Sequence, residues 1–303
     1  MNDFKNLLMK DCDEHTRQQL KKAILEKYFF VSADTIGKSI LEREIECFRI
    51  GNSDKEILFC GGVHGSEWIT SQLLYLFIIR IADTIINCKS QLTEILLSCF
   101  QKYSLIFIPC VNPDGVEISL HGSQSAKHLE NFVRRVAKGD TVHWKSNALG
   151  VDINHNFNAD WQNIKKKEMD SGITFPSMTR YGGEFPESEP ETRTLTEYCR
   201  THHILSAIAF HAQGEEIYWS FSEKTPVRSL EIAQKMAELS GYALSFPESI
   251  ADGGGFKDWL IVEKGIPAFT VEVGKGENPL DIAQLPEIYA RLEKMLFYFL
   301  SVG

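Results

Sequence analysis

A chain of 303 residues with 43% apolar content can bury a sizeable core, which excludes disorder and fits one large domain or two smaller ones. Its formal net charge of −9 and pI near 5.5 argue against nucleic acid or an anionic membrane surface as the main partner. The cysteines (12, 47, 60, 88, 99, 110 and 199) are scattered with no C-x-x-C pair, as reduced and mostly buried thiols are, so a cytoplasmic location is expected.

Residues 1–30 read as one or two polar helices, an N-terminal appendage, and 31–303 as a single main domain. The N-terminus carries no basic region followed by an apolar core, so no secretory signal is expected. The β-type runs follow: "REIECFRIG", "EILFCGG", "YSLIFIPCVNP", "HILSAIAFHAQ" and "PAFTVEVG". Several are nearly continuous apolar stretches ending in turn residues, the pattern of strands buried on both faces. Helical patterns cover 71–87, 188–200, 229–240 and 285–300. In the second, Ser188 and Glu191 have the spacing of a capping box. The most apolar stretch, 73–82, is interrupted by Arg80 and is far short of the roughly 20 residues a membrane span needs. Alternating strands and helices predict an α/β fold, a mixed parallel and antiparallel sheet flanked by helices on both faces. Residues 116–185, rich in Gly, Ser, Asn and His, read as long loops over one end of that sheet. In open α/β sheets, ligands bind where such loops gather, at the carboxyl ends of the strands.

Two features there carry chemistry. In "CGGVHGSEWIT", His64 and Glu67 stand three residues apart in a glycine-rich turn just after an apolar strand. His211 ends a second strand. Two histidines and a glutamate with an open fourth position form a common catalytic zinc set, although an isolated H-x-x-E pair is usually unrelated to metal. Glu272 is the only carboxylate in the strand "AFTVEVG". It is either a base for a metal-activated water or an outward-facing edge residue.

The motifs "GVHGSEWIT", "VNPDG", "GVDINHNF", "SEPET", "AFHAQG", "GGGFKDWL" and "FTVEVGKGENP", in this order, resemble the zinc carboxypeptidase family over 39–303. The longer forms "WKSNALGVDINHNF" and "VEVGKGENP" are most similar to its bacterial branch of γ-D-glutamyl-diamino-acid peptidases and murein-peptide amidases. The resemblance implies one zinc per chain held by His64, Glu67 and His211, with Glu272 as the catalytic glutamate. It also implies that Asp152 hydrogen-bonds the first zinc histidine, fixing its tautomer. Asn112 reads as turn-forming.

The chain departs from the digestive members at several positions. Lys145 stands where they use an arginine to polarise the scissile carbonyl, so it supplies charge without a two-pronged hydrogen bond. Asn154-His155 replaces the Asn-Arg pair that grips a terminal carboxylate, and a histidine is only partly charged near neutral pH. The tyrosine that caps the digestive site has no match; its place falls near Ile250. Lys257 falls at the floor of the specificity pocket, where it would suit an acidic or diaminopimelate leaving residue; otherwise it is a solvated loop lysine.

Together these imply a zinc peptidase or amidase that cleaves the γ-D-Glu–diaminopimelate bond of cell-wall peptides in the cytoplasm, for recycling or precursor trimming. A carboxypeptidase that removes C-terminal acidic residues is the alternative within the same chemistry. A metal-free peptide-binding module on the same scaffold is the alternative outside it, and retention of all three ligands and Glu272 counts against that. Neither nucleic acid nor a membrane is expected as a partner.

Overall fold

The computed structural model describes residues 2–87, 91–246 and 252–302. Eight strands form one sheet: β1 (Val31–Lys38), β2 (Glu44–Ile50), β3 (Lys55–Cys60), β4 (Ser104–Ile108), β5 (His203–His211), β6 (Glu216–Tyr218), β7 (Ala243–Leu244) and β8 (Ala268–Glu272). Their order is β1-β2-β4-β3-β5-β8-β6-β7. The centre, β4-β3-β5-β8, is parallel. On one side β2 joins β4, and β1 joins β2, antiparallel; on the other, β6 joins β8 antiparallel and β7 runs parallel to β6. The sheet is mixed and helix-flanked, as the strand and helix patterns predict.

The two-residue period of a strand sends successive side chains to opposite faces. On β3, Ile57 and Phe59 enter one core, while Leu58 and Cys60 enter another. On β5, Ile208 and Phe210 join the first, Ala207 and Ala209 the second. The first core is closed by helices Asn2–Leu8, Glu14–Lys27, Ile69–Asn87, Arg228–Ser240 and Leu285–Val302, with Phe59, Phe77, Phe107 and Phe299 packed ring to ring. Phe4, Leu20, Ile24 and Tyr28 of the first two helices belong to it, so that segment is packed on the domain. Helix Ile69–Asn87, with the turn before it, is long and apolar enough to cross a membrane by length and composition. Here it is a core helix, with Ile69–Tyr75 and Phe77–Ile79 buried.

The second core is covered by helix Pro190–Thr201, the short helix Phe256–Trp259 and the loop carrying Phe157. Residues 116–185 are less irregular than their composition suggests, since they include helices Glu130–Val136 and Trp161–Asp170. The expected capping box does not form. The N-cap is Glu189, the Ser188 hydroxyl bonds the Glu189 side chain, and Glu191 is bonded instead by Asn147 and the Ile40 N–H.

Candidate active site

Strand parity decides where the chemistry collects. His211 shares the parity of Ala207 and Ala209, and Glu272 that of Ala268, so both belong to the face of the second core. They are also register partners, the last pair of β5 and β8. β3 ends beside them at Cys60, and the turn after it brings His64 and Glu67 to the same spot. That turn needs its glycines. Gly62 has φ +57°, and a Cβ on Gly65 would lie 2.2 Å from the Gly115 carbonyl oxygen. Asn112 fastens the neighbouring loops: it caps helix Pro113–His121 and donates to the carbonyls of Val63 and Ser146.

The three candidate ligands converge. His64 Nδ1 is 2.9 Å from Glu67 Oε1, His211 Nδ1 is 3.1 Å from Glu67 Oε2, and the two Nδ1 atoms are 3.2 Å apart. All three side chains are buried. His64 Nε2 lies 3.0 Å from Asp152 Oδ1, which holds a proton on Nε2 and leaves the Nδ1 lone pair facing the cluster. Two imidazole nitrogens and one carboxylate oxygen, mutually within 4.8 Å, are the donor set that suits zinc. The residues present therefore fit the metal.

Asp152 is saturated. Besides His64 it accepts from the N–H groups of Asn154 and Arg180 and from the Thr179 hydroxyl. Burial alone would raise its pKa, but His64, then His155 and the Arg180 N–H, hold it well below the usual carboxylate range. Burial likewise opposes the ionised form of Glu67, and His64 and Lys145 beside it overcome that and lower its pKa. Lys145 Nζ donates to Glu67 Oε1 at 2.8 Å, and Glu67 holds the ammonium charged by raising its pKa. Glu272 has the opposite balance: burial, then repulsion by Glu67, pushes it up to about 8. A carboxyl that titrates near neutrality can take and return a proton.

These groups line a cleft of about 550 Å³ together with Asn154, His155, His143, Arg180, Gln213, Tyr218 and Asn278. The structure thus brings together eight of the nine residues singled out from the sequence. His155 lines the cleft but is only 6% exposed, its Nδ1 3.2 Å from Glu168 Oε1, while Asn154 Oδ1 accepts the Phe256 N–H. Lys257 is the exception. It is not among the described residues lining the cleft, and at 5% exposure it is not a solvated loop lysine either. Its ammonium donates to the Ser220 carbonyl at 2.7 Å and pairs with Asp258, itself buried. The position near Ile250 lies outside the described residues. Arg180 and Tyr218 went unseen in the sequence because neither belongs to a recognisable motif; only the fold carries them to the cleft.

A family model described as zinc carboxypeptidase matches residues 17–294. The chain belongs to the zinc carboxypeptidase family. The chain is 32% identical over 275 residues to gamma-D-glutamyl-L-diamino acid endopeptidase 1 of Lysinibacillus sphaericus, covering 88% of this chain and 67% of that one. In fold, this zinc carboxypeptidase resembles bovine thrombin-activatable fibrinolysis inhibitor, with TM-score 0.73 and 18% identity over 97% of each chain. It also resembles the murein-tripeptide amidase of Escherichia coli O157, with TM-score 0.53 and 19% identity over 89% of this chain and 92% of that one.

Proposed function

We propose that this zinc carboxypeptidase hydrolyses the γ-D-glutamyl–diamino acid bond of peptidoglycan-derived peptides. The convergence of His64, Glu67 and His211 beside Glu272 carries the hydrolase reading. The named activity of the 32%-identical bacterial relative supports the choice of bond. The Asn154-His155 pair also favours it, because an imidazole cannot give the two-pronged grip on a terminal carboxylate that the arginine of the digestive members gives.

In this reading His64, Glu67 and His211 hold the zinc, which supplies a Lewis acid that acidifies a water molecule and polarises the scissile carbonyl. Glu272 takes the attacking water's proton and delivers it to the departing amine as the C–N bond breaks. Lys145 places positive charge beside the carbonyl oxygen, a contribution worth roughly 3 kcal/mol in comparable sites. Asp152 keeps the His64 ring oriented. The six described cysteines are free and buried, which supports a reducing, cytoplasmic setting and a role in recycling or trimming wall peptides.

The test is direct. The zinc-loaded protein should cleave L-Ala-γ-D-Glu-diaminopimelate far faster than an α-linked peptide ending in Glu. The reverse preference would make it an acidic-residue carboxypeptidase.

A further inference from the structure

Most of the cleft's basic side chains already have acidic partners. Lys145 is paired with Glu67, His155 with Glu168, and His143 lies 3.8 Å from Glu277 and 2.6 Å from the Asn278 carbonyl. His64 and His211 belong to the ligand cluster. Among the described residues, Arg180 is the one cation lining the cleft whose side chain has no acidic or hydrogen-bonding partner, and it is exposed there.

Its position is nevertheless fixed. Arg180 adopts φ +67°, in the left-handed region that side chains with a Cβ seldom enter. Its N–H donates to Asp152 Oδ2 at 2.7 Å, the carboxylate whose other oxygen holds His64. The residues on either side are tied to the same loop: the Thr179 hydroxyl bonds Asp152, and the Tyr181 carbonyl accepts the Asp152 N–H at 2.7 Å. A guanidinium is thus mounted on a fastened backbone, one hydrogen bond away from the residue that orients a candidate zinc ligand.

We propose that Arg180 receives a substrate carboxylate next to the scissile bond and so selects for acidic wall peptides. The inference rests on the γ-D-glutamyl reading and deepens it. The cleft is already lined by Glu67, Asp152, Glu272 and Glu277, so an acidic peptide entering it needs a free cation. Asn154 Oδ1 and His155 Nδ1 are already bonded, Lys257 is paired with Asp258, and neither an amide nor an imidazole offers the charged two-pronged donor of a guanidinium. A γ-linked D-glutamate keeps its α-carboxylate free on the acyl side of the bond, where an α-linked residue has none. Diaminopimelate brings further carboxylates on the amine side. A planar guanidinium can take either in a two-pronged hydrogen bond, which an ammonium cannot.

The test compares wild type, Arg180→Gln and Arg180→Lys, all zinc-loaded, on three peptides. These are L-Ala-γ-D-Glu-diaminopimelate, its analogue with the D-glutamate α-carboxylate amidated, and its analogue ending in lysinamide. On the first peptide Arg180→Gln should raise KM at least about 10-fold with kcat nearly unchanged, and Arg180→Lys should recover part of the loss. The penalty should vanish on one analogue: on the amidated peptide if Arg180 grips the acyl-side carboxylate, on the lysinamide peptide if it grips the amine side. An equal penalty on all three, or none on the first, overturns the inference. If wild type fails to cleave the first peptide, the functional reading has failed. Calorimetry on Glu272→Gln, with and without Arg180→Gln, then decides the inference separately with an α-linked peptide ending in Glu-Glu, which carries a carboxylate on each side of its last bond. Unchanged affinity overturns it; a loss of at least about 10-fold upholds carboxylate capture.

Discussion

His211 and Glu272 are register partners at the carboxyl ends of two adjacent parallel strands, and both belong to the same face of the sheet. The backbone ladder therefore sets the separation between a candidate zinc ligand and the candidate base. Glu272→Gln keeps the shape of that pair and removes the proton acceptor. A folded protein with wild-type zinc content and turnover lower by at least about 10²–10⁴-fold is expected, read by steady-state kinetics alongside metal analysis. Near-normal turnover would move the base elsewhere in the cleft, with Glu277 the next group to examine.

Metal retention should separate the ligands from the residue that positions one of them. His64→Ala and His211→Ala each remove one of three donors, so zinc and activity should fall together. Asp152→Asn leaves the donors in place and loosens the His64 ring, so zinc should still bind, about 10–100-fold more weakly in a chelator competition. Zinc near one per chain in either histidine variant would show that the cluster is not the metal site.

The candidate ligands were legible because His64 and Glu67 follow, and His211 ends, a short apolar run, and because the ordered motifs that resemble the family singled them out. The residues between the strands were harder to place. β6 and β7 are three and two residues long, too short to leave a period, and exist because β8 offers β6 an edge. Helix Trp161–Asp170 is polar enough to read as loop, yet it buries Ile164 and uses Glu168 to hold His155 and the Gly182 N–H. The spacing of Ser188 and Glu191 matched a capping box, but tertiary contacts claimed the Glu191 carboxyl. Sequence spacing shows which residues could meet; competition for partners decides which do.

That competition has a pH signature. Glu191 is fully buried, and burial, followed by repulsion from Asp114, pushes its pKa up to about 8 from 4.5. Between those values the folded chain holds a proton that the unfolded chain has released. The stability contributed by protonated Glu191 is thus complete below pH 4.5 and is lost as pH rises through 8. Glu191→Gln resembles the protonated form and does not titrate. The stability of the variant relative to wild type, read by thermal denaturation, should therefore rise from pH 5 to about pH 8, on a scale of about 1.4 kcal/mol per pH unit, and level off above it. A constant difference would mean that Glu191 is already ionised in the fold.

Lys257 presents the last case, in which a residue matched by motif is used structurally. The buried Lys257–Asp258 pair is completed by the Ser220 carbonyl on the lysine and the Gly253 N–H on Asp258 Oδ2. Lys257→Met would leave Asp258 in a dry site without its cation, and breaking a buried pair in this way costs about 3–5 kcal/mol. Adding Asp258→Leu removes the stranded charge and should recover much of the loss, because two apolar groups need no partners there. Urea denaturation of the two variants reads both effects. Where the single variant still folds, its preference among leaving residues should match wild type, since the lysine is not among the described residues that line the cleft. A switch toward apolar leaving residues without loss of stability would place the ammonium in the substrate pocket instead.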